Sequence, residues 1–259
     1  MSHRPRKRFS QNFLRDQNII RQIIKAIDPK PQQHFVEIGP GQGALTTNLL
    51  PLVKHMDAIE IDRQLIPLLA ANCQSLGQLN ILEADALTVD FHQLQTDQRL
   101  LRVIGNLPYH ISTPLLFHTL QYAPIISDMH FMLQKEVVER MTASPGNKIY
   151  GRLSVMIQYY CETAWLFQVP ATAFYPKPAV ESAIVKLVPR PQTMLQAKDT
   201  VTFSEIVKAA FGQRRKTLRN SLKNYVTAAD WQMLQLDYEL RPEQLSVADF
   251  VKISNRINI

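Results

Sequence analysis

"HFVEIGPGQGALT", residues 34–46, decides the fold. A short, mostly apolar run ends at Gly39, glycine recurs at 41 and 43, and a helix-forming stretch follows. Such a run stopped by glycine predicts a buried strand. Glycine then lets the backbone turn tightly and approach a bound group with no Cβ in the way. This is the strand-to-helix turn of a doubly wound α/β sheet, whose ligand lies beyond the carboxyl ends of the strands. Gly39, Gly41 and Ala44 also satisfy the looser dinucleotide fingerprint, which leaves an NAD-dependent dehydrogenase open. A tight turn with no ligand is the plainer alternative. No Lys-Ser/Thr pair ends the loop, so it is not a triphosphate P-loop.

Outward from this turn, strands are predicted at 56–61, 79–85, 99–106 and 128–134, then two β-rich runs at 163–169 and 182–188. With the first strand that makes seven, mostly parallel, with helices on both faces and an antiparallel pair at one edge. Ahead of the turn, Asp16 is a candidate cap for a helix striped by Ile19, Ile20, Ile23, Ile24 and Ile27, ended by Pro29 and Pro31. Ser112 or Thr113 is expected to cap a helix with Pro114 in its first turn. Pro189 and Pro191 mark a linker, and only helical patterns follow, the last capped by Ser246 with Asp249. The expected organisation is a sheet domain over residues 1–190, a linker over 191–200 and a small all-α domain over 201–259.

The 259 residues are 46% hydrophobic and 20% charged, with no apolar run long enough for a membrane span. The basic start has no apolar core behind it, so a signal peptide is not expected. Cys73 and Cys161 show no pairing or metal spacing, which favours a reduced, cytoplasmic setting. The seven histidines show no ligand spacing, and no metal is expected. The net charge of +7 is unevenly placed: residues 1–30 hold eight Lys/Arg against two Asp/Glu, and residues 187–259 hold eleven against seven. The middle, with ten against thirteen, is mildly acidic. Concentrated cations at both ends favour a polyanionic partner. The candidates for phosphate contact are Arg4, Arg6, Lys7 and Arg8, with Arg214, Arg215, Lys216, Arg219 and Lys223. For the second group, a solvated helix face is the competing explanation.

Two acids narrow the ligand. Glu60 ends the second strand, where a carboxylate can accept both ribose hydroxyls. Asp85 closes the third strand, where it can accept from an adenine amino group. The fourth strand runs into "VIGNLPYHIS" (103–112), where Gly105 is expected to turn the chain and Asn106-Leu107-Pro108-Tyr109 follow.

In this order, "VEIGPGQGALT", "EID", "EADAL" and "NLPYHIS" resemble the class I (Rossmann-like) methyltransferases that bind S-adenosylmethionine. The last is similar to the Asn/Asp-Pro-Pro-Tyr signature of adenine amino-methyltransferases. "QNFLRD" (11–16), "AFYPKPAVESAIVKL" (173–187) and "FGQRRKTLRNSL" (211–222) extend the match over nearly the whole chain. Together they resemble the bacterial small-subunit ribosomal RNA adenine dimethyltransferases, the family linked to kasugamycin sensitivity. The erythromycin-resistance methyltransferases of large-subunit RNA usually carry Ile where Leu107 stands. A non-catalytic ribosome-assembly or transcription-factor module on this fold is the alternative of another class.

The resemblance implies two adjacent adenines, each dimethylated, in a hairpin loop near the 3′ end of the RNA within a pre-30S particle. It implies that Gln11, Asn12 and Leu14 close over the methionine end of the cofactor, and that Gly39, Gly41, Gly43, Glu60, Asp85 and Asn106 complete its site. A chain that is a monomer when free is expected. The adenine amine is a poor nucleophile because its lone pair is delocalised into the ring. Acceptors for its protons, the Asn106 oxygen and a carbonyl beside Pro108 (that of Leu107), would free that pair. Tyr109 offers a stacking ring worth ~1–3 kcal/mol. Phe174 is expected to cover the other face of the base, with Tyr175 the alternative.

Overall fold

The computed structural model describes residues 11–213 and 215–257. They form two compact units: residues through Val138 with Ala164–Pro189, and Glu139–Thr163 with the chain from Arg190 onward. The second unit therefore takes a segment from the middle of the chain, unlike the linear division expected.

The first unit opens with β1 (Phe13–Leu14) and α1 (Gln17–Ile27). Asp16 caps α1 by accepting from the N–H groups of Asn18 and Ile19. Ile20, Ile23 and Ile27 are buried from the predicted stripe, with Ile19 and Ile24 half-buried beside them. Then come β2 (His34–Ile38), α2 (Thr46–Val53), β3 (His55–Glu60), α3 (Ile66–Cys73), β4 (Gln78–Glu83), β5 (Leu101–Asn106), α4 (Ser112–Leu120) and β6 (Ile126–Gln134). After α5 (Lys135–Thr142) and α6 (Arg152–Tyr160) come β7 (Cys161–Val169), β8 (Phe174–Tyr175) and β9 (Ser182–Pro189). The seven-stranded sheet has the order β4-β3-β2-β5-β6-β9-β7, and β1 pairs antiparallel with β8. The first five strands pair in parallel; β9 runs antiparallel to β6.

This order places the site. The chain moves outward from β2 to β4, then returns to β5 on the other side of β2 and moves the opposite way. Right-handed crossovers then put α2 and α3 on one face and α4 on the other. The carboxyl ends of β2 and β5 meet at the switch point where such sheets bind ligands. Gly39 follows one and Asn106 ends the other.

Gly105 does not turn the chain, contrary to expectation. It lies within β5, paired with Ile38 and Phe131. A Cβ there would stand 2.6 Å from the Ile38 carbonyl, so glycine serves close packing of β5 on β2. The α4 cap is also corrected: Ile111 is the cap residue and no side chain caps the helix. The Ser112 hydroxyl instead donates to the Tyr109 carbonyl at 3.1 Å.

At the opposite, amino-terminal end of the strands, the buried Arg102 guanidinium donates twice to Asp128 at 2.8 Å, to Gln33 at 2.6 Å and to the Ile27 carbonyl at 2.7 Å. This fastens the end of α1 to the sheet; removing one partner of such a buried pair costs about 3–5 kcal/mol.

In the second unit, α7 (Thr200–Phe211), α8 (Leu218–Ser221), α9 (Ala228–Leu234) and α10 (Val247–Arg256) join α6. The Tyr159 and Phe203 rings lie 4.4 Å apart, and Phe211 packs on Phe250 at 5.6 Å. The Ser246–Asp249 capping box forms as expected, and Thr227–Asp230 supplies another at α9. The Leu218–Leu222 spacing yields only the four-residue α8.

Candidate active site

A cavity of about 320 Å³ opens at the switch point. Gln11, Asn12 and Leu14 line it from the β1 segment, Gly39 and Gly41 from the turn after β2, and Glu60 and Asp85 from the ends of β3 and β4. Asn106, Leu107, Pro108 and Tyr109 line it from the end of β5. Of the expected cofactor residues, only Gly43 is not in the wall. Its N–H donates to the Pro40 carbonyl, and a Cβ there would meet Leu69 at 3.0 Å, so it shapes the turn.

Gly41 keeps the floor open. Its φ is +59°, and a Cβ would stand 3.1 Å from the Phe13 ring. Its N–H donates to Glu60 Oε2 at 3.0 Å, while the Asp62 N–H donates to Oε1 at 2.8 Å. Burial raises the Glu60 pKa, opposed by these backbone donors. Each Glu60 oxygen keeps lone-pair capacity for hydroxyl donors, and Asp85, whose Oδ1 accepts from the Leu87 N–H, retains its second oxygen. Two acceptors over a glycine floor fit a nucleoside carrying ribose hydroxyls and an exocyclic amine. Gln11 Nε2 donates to Asp62 at 2.9 Å, tying the β1 segment to the end of β3.

Asn106 Nδ2 donates to the Asn12 carbonyl at 3.0 Å, leaving Oδ1 as the acceptor end of the amide. The next carbonyls differ in their engagement. That of Pro108 accepts from the Ile111 N–H at 3.1 Å and that of Tyr109 from Ser112. The Leu107 carbonyl takes no hydrogen bond from the described residues, while its N–H donates to the Met132 carbonyl. The Tyr109 hydroxyl lies 2.7 Å from Ser182 Oγ. Burial pushes the Tyr109 pKa up, so the phenol stays neutral.

Phe174 is not in the cavity wall. It is 5% exposed and packs in the core with Leu14, Ile184 and Met132. Tyr175 is 54% exposed, its ring under the Arg15 guanidinium at 4.3 Å.

Among the wall residues that the sequence does not single out are Ile61, 48% exposed beside Glu60, and Glu37, buried in mid-strand. Thr46 Oγ1 donates to Glu37 at 2.6 Å, and burial pushes its pKa up to about 7.

Arg4, Arg6, Lys7, Arg8 and Arg214 lie outside the described residues. Lys216 and Lys223 are exposed, and Arg219 is shared with Glu239 at 3.5 Å. Arg215 lines a second cavity, of about 430 Å³ and within the second unit, with Arg140, Lys148, Arg152 and Arg241. These cations are scattered along the sequence, and only folding brings them together. The buried Tyr150 hydroxyl, also in that wall, has no partner among the described residues.

Residues 2–258 match the family model described as ribosomal RNA adenine dimethylase. The chain is 50% identical over 257 residues to "Ribosomal RNA small subunit methyltransferase A" of Hahella chejuensis, covering 99% of this chain and 94% of that one. It is 53% identical over 254 residues to the protein of that name from Xylella fastidiosa, covering 98% and 96%. Among solved structures, a dimethyladenosine transferase from Plasmodium falciparum superposes with a TM-score of 0.78 at 28% identity, covering 93% of this chain and 95% of that one. The 23S rRNA methyltransferase ErmE superposes at 0.74 with 24% identity over 95% and 99%, a likeness of fold alone.

Proposed function

The chain belongs to the ribosomal RNA adenine dimethylase family, and on that footing we propose that it methylates the N6 amines of two adjacent adenosines in a 3′-terminal hairpin loop of small-subunit RNA, giving N6,N6-dimethyladenosine. It is an RNA adenine methyltransferase with the class I fold, and it does this work on a pre-30S particle, in the cytoplasm, as a monomer when free. Two free acceptors at one edge of a nucleoside-shaped cavity, Asn106 Oδ1 and the Leu107 carbonyl, carry the proposal.

S-adenosylmethionine, when bound, supplies a methyl group on a positively charged sulfur. Glu60 would hold its ribose, Asp85 its adenine, and Asn12 and Leu14, with Gln11, its methionine end. The chain's contribution is to hold the target amine. Asn106 Oδ1 and the Leu107 carbonyl accept hydrogen bonds from its N–H groups, which draws the nitrogen toward tetrahedral geometry and frees its lone pair. Pro108 fixes the backbone between the acceptors and the ring at little entropic cost. Tyr109 stacks on one face of the base. Phe174, moving out of the core, covers the other. In-line positioning would then supply most of the catalysis: the S–C bond would break as the N–C bond forms, releasing a neutral thioether, and the methylated amine would lose its extra proton to water, with no general base.

A base presented this way must leave its stack, which suits a loop. Lys216, Lys223 and the cations around Arg215 grip phosphates. The test is methyl transfer from labelled cofactor to unmodified small and large subunits offered separately. Label in adenines of the small subunit supports the proposal; label confined to the large subunit overturns it.

A further inference from the structure

We propose that Ser182 is a positioning residue for methyl transfer: its hydroxyl holds the phenol of Tyr109 and so fixes the plane of the ring on which the target adenine stacks. This rests on Tyr109 being that stacking surface. Ser182 Oγ and the Tyr109 oxygen are 2.7 Å apart, between residues 73 positions apart in sequence. Ser182 is fully buried and opens β9, where it stands opposite Gln134 at the end of β6. The neighbouring Lys135 N–H donates to the Glu181 carbonyl at 2.9 Å, so the backbone carrying Ser182 is itself held.

The ring is thus gripped at both ends. Ser112 takes the Tyr109 carbonyl, Pro108 sets the chain entering it, and Ser182 takes the far oxygen. A phenol tethered only through its backbone swings about two side-chain torsions, and a base stacking on it must stop that motion. Tethering the oxygen removes the motion before the base arrives, which is preorganisation. The pleat at the start of β9 would accept alanine equally well. A buried hydroxyl there is favourable only with a partner, and Tyr109 is the partner its side chain has among the described residues.

The experiment compares Ser182→Ala, Tyr109→Phe, their combination, Ser182→Thr and Tyr109→Ala in the full chain, by single-turnover methyl transfer to small subunits, cofactor affinity and melting temperature. Removing one hydrogen bond predicts a roughly fivefold to tenfold lower rate for each single variant that breaks it, with unchanged cofactor affinity. The combination should be no slower than either single variant, because both remove the same bond. Ser182→Thr, which keeps the hydroxyl, should recover most of the rate. Tyr109→Phe leaves β9 untouched and probes the bond even where Ser182→Ala folds poorly. A combined loss equal to the product of the single losses, or a wild-type rate in Ser182→Ala, overturns the proposal. A wild-type rate in Tyr109→Ala would instead sink the stacking role itself.

Discussion

The side-chain amide of Asn106 donates to the backbone carbonyl of Asn12 at 3.0 Å. One of the two amide hydrogens is spent on the β1 segment, which fixes the orientation of the amide and leaves its oxygen as an acceptor for a ligand. Under the proposed function, the β1 segment that lines the cavity also orients the acceptor for the substrate amine, and disturbing one is expected to disturb the other.

Gly41→Ala should weaken cofactor binding. The left-handed backbone costs an alanine about 1–2 kcal/mol, and its methyl would press on Phe13. Calorimetric titration with S-adenosylmethionine is expected to show affinity reduced by roughly tenfold. Unchanged affinity would contradict the close approach assigned to this turn.

Glu37→Gln should change the pH dependence of stability. The folded carboxyl has its pKa pushed up to about 7 by burial, against 4.5 for an ordinary glutamate. Between those values the folded chain holds a proton that the unfolded chain has released, so stability falls as pH rises through this window. The full penalty above pH 7 is roughly 3 kcal/mol. Melting curves should find Glu37→Gln close to wild type near pH 5 and more stable than wild type near pH 8. A gap that does not move with pH contradicts this account of Glu37.

Phe174→Leu should lower turnover by roughly tenfold, the worth of one stacking face, while keeping an apolar side chain in the core and most of the stability. Tyr175→Ala should leave turnover within about twofold, since single exposed substitutions cost little. Paired rate and melting measurements decide between them. The reverse pattern would move the second stacking face to Tyr175.

Much of the fold is legible in the sequence because it is local. The isoleucine spacing and Asp16 predict α1, Ser246 with Asp249 predicts α10, and short apolar runs, the first of them stopped by glycine, predict the parallel strands. What escapes depends on partners distant in sequence. The β1–β8 pair joins Phe13 to Tyr175 through two-residue strands that have no period to read. Gly105 reads as a turn because its close neighbour, the Ile38 carbonyl, belongs to another strand. The misreading of Ser112 as a cap is the local exception: its hydroxyl donates to the Tyr109 carbonyl three residues back, a loop geometry that the residue type does not show. Glu60, Asp85 and Asn106 are readable as strand-end polar groups. The burial of Phe174 and the hydrogen bond of Tyr109 with Ser182 are not.

Replacing Lys216 and Lys223 with Gln should reduce the slope of log affinity against log salt by about one for each phosphate that is no longer neutralised. Binding of small-subunit RNA measured across a salt series checks this. An unchanged slope would remove these lysines from the interface.

The most direct test is Asn106→Ala, assayed by cofactor titration and by single-turnover methylation of small subunits. Removing one aimed polar group from the reacting centre should cost roughly a hundredfold or more in rate, with S-adenosylmethionine still bound. Methylation at the wild-type rate would contradict the role of the Asn106 oxygen.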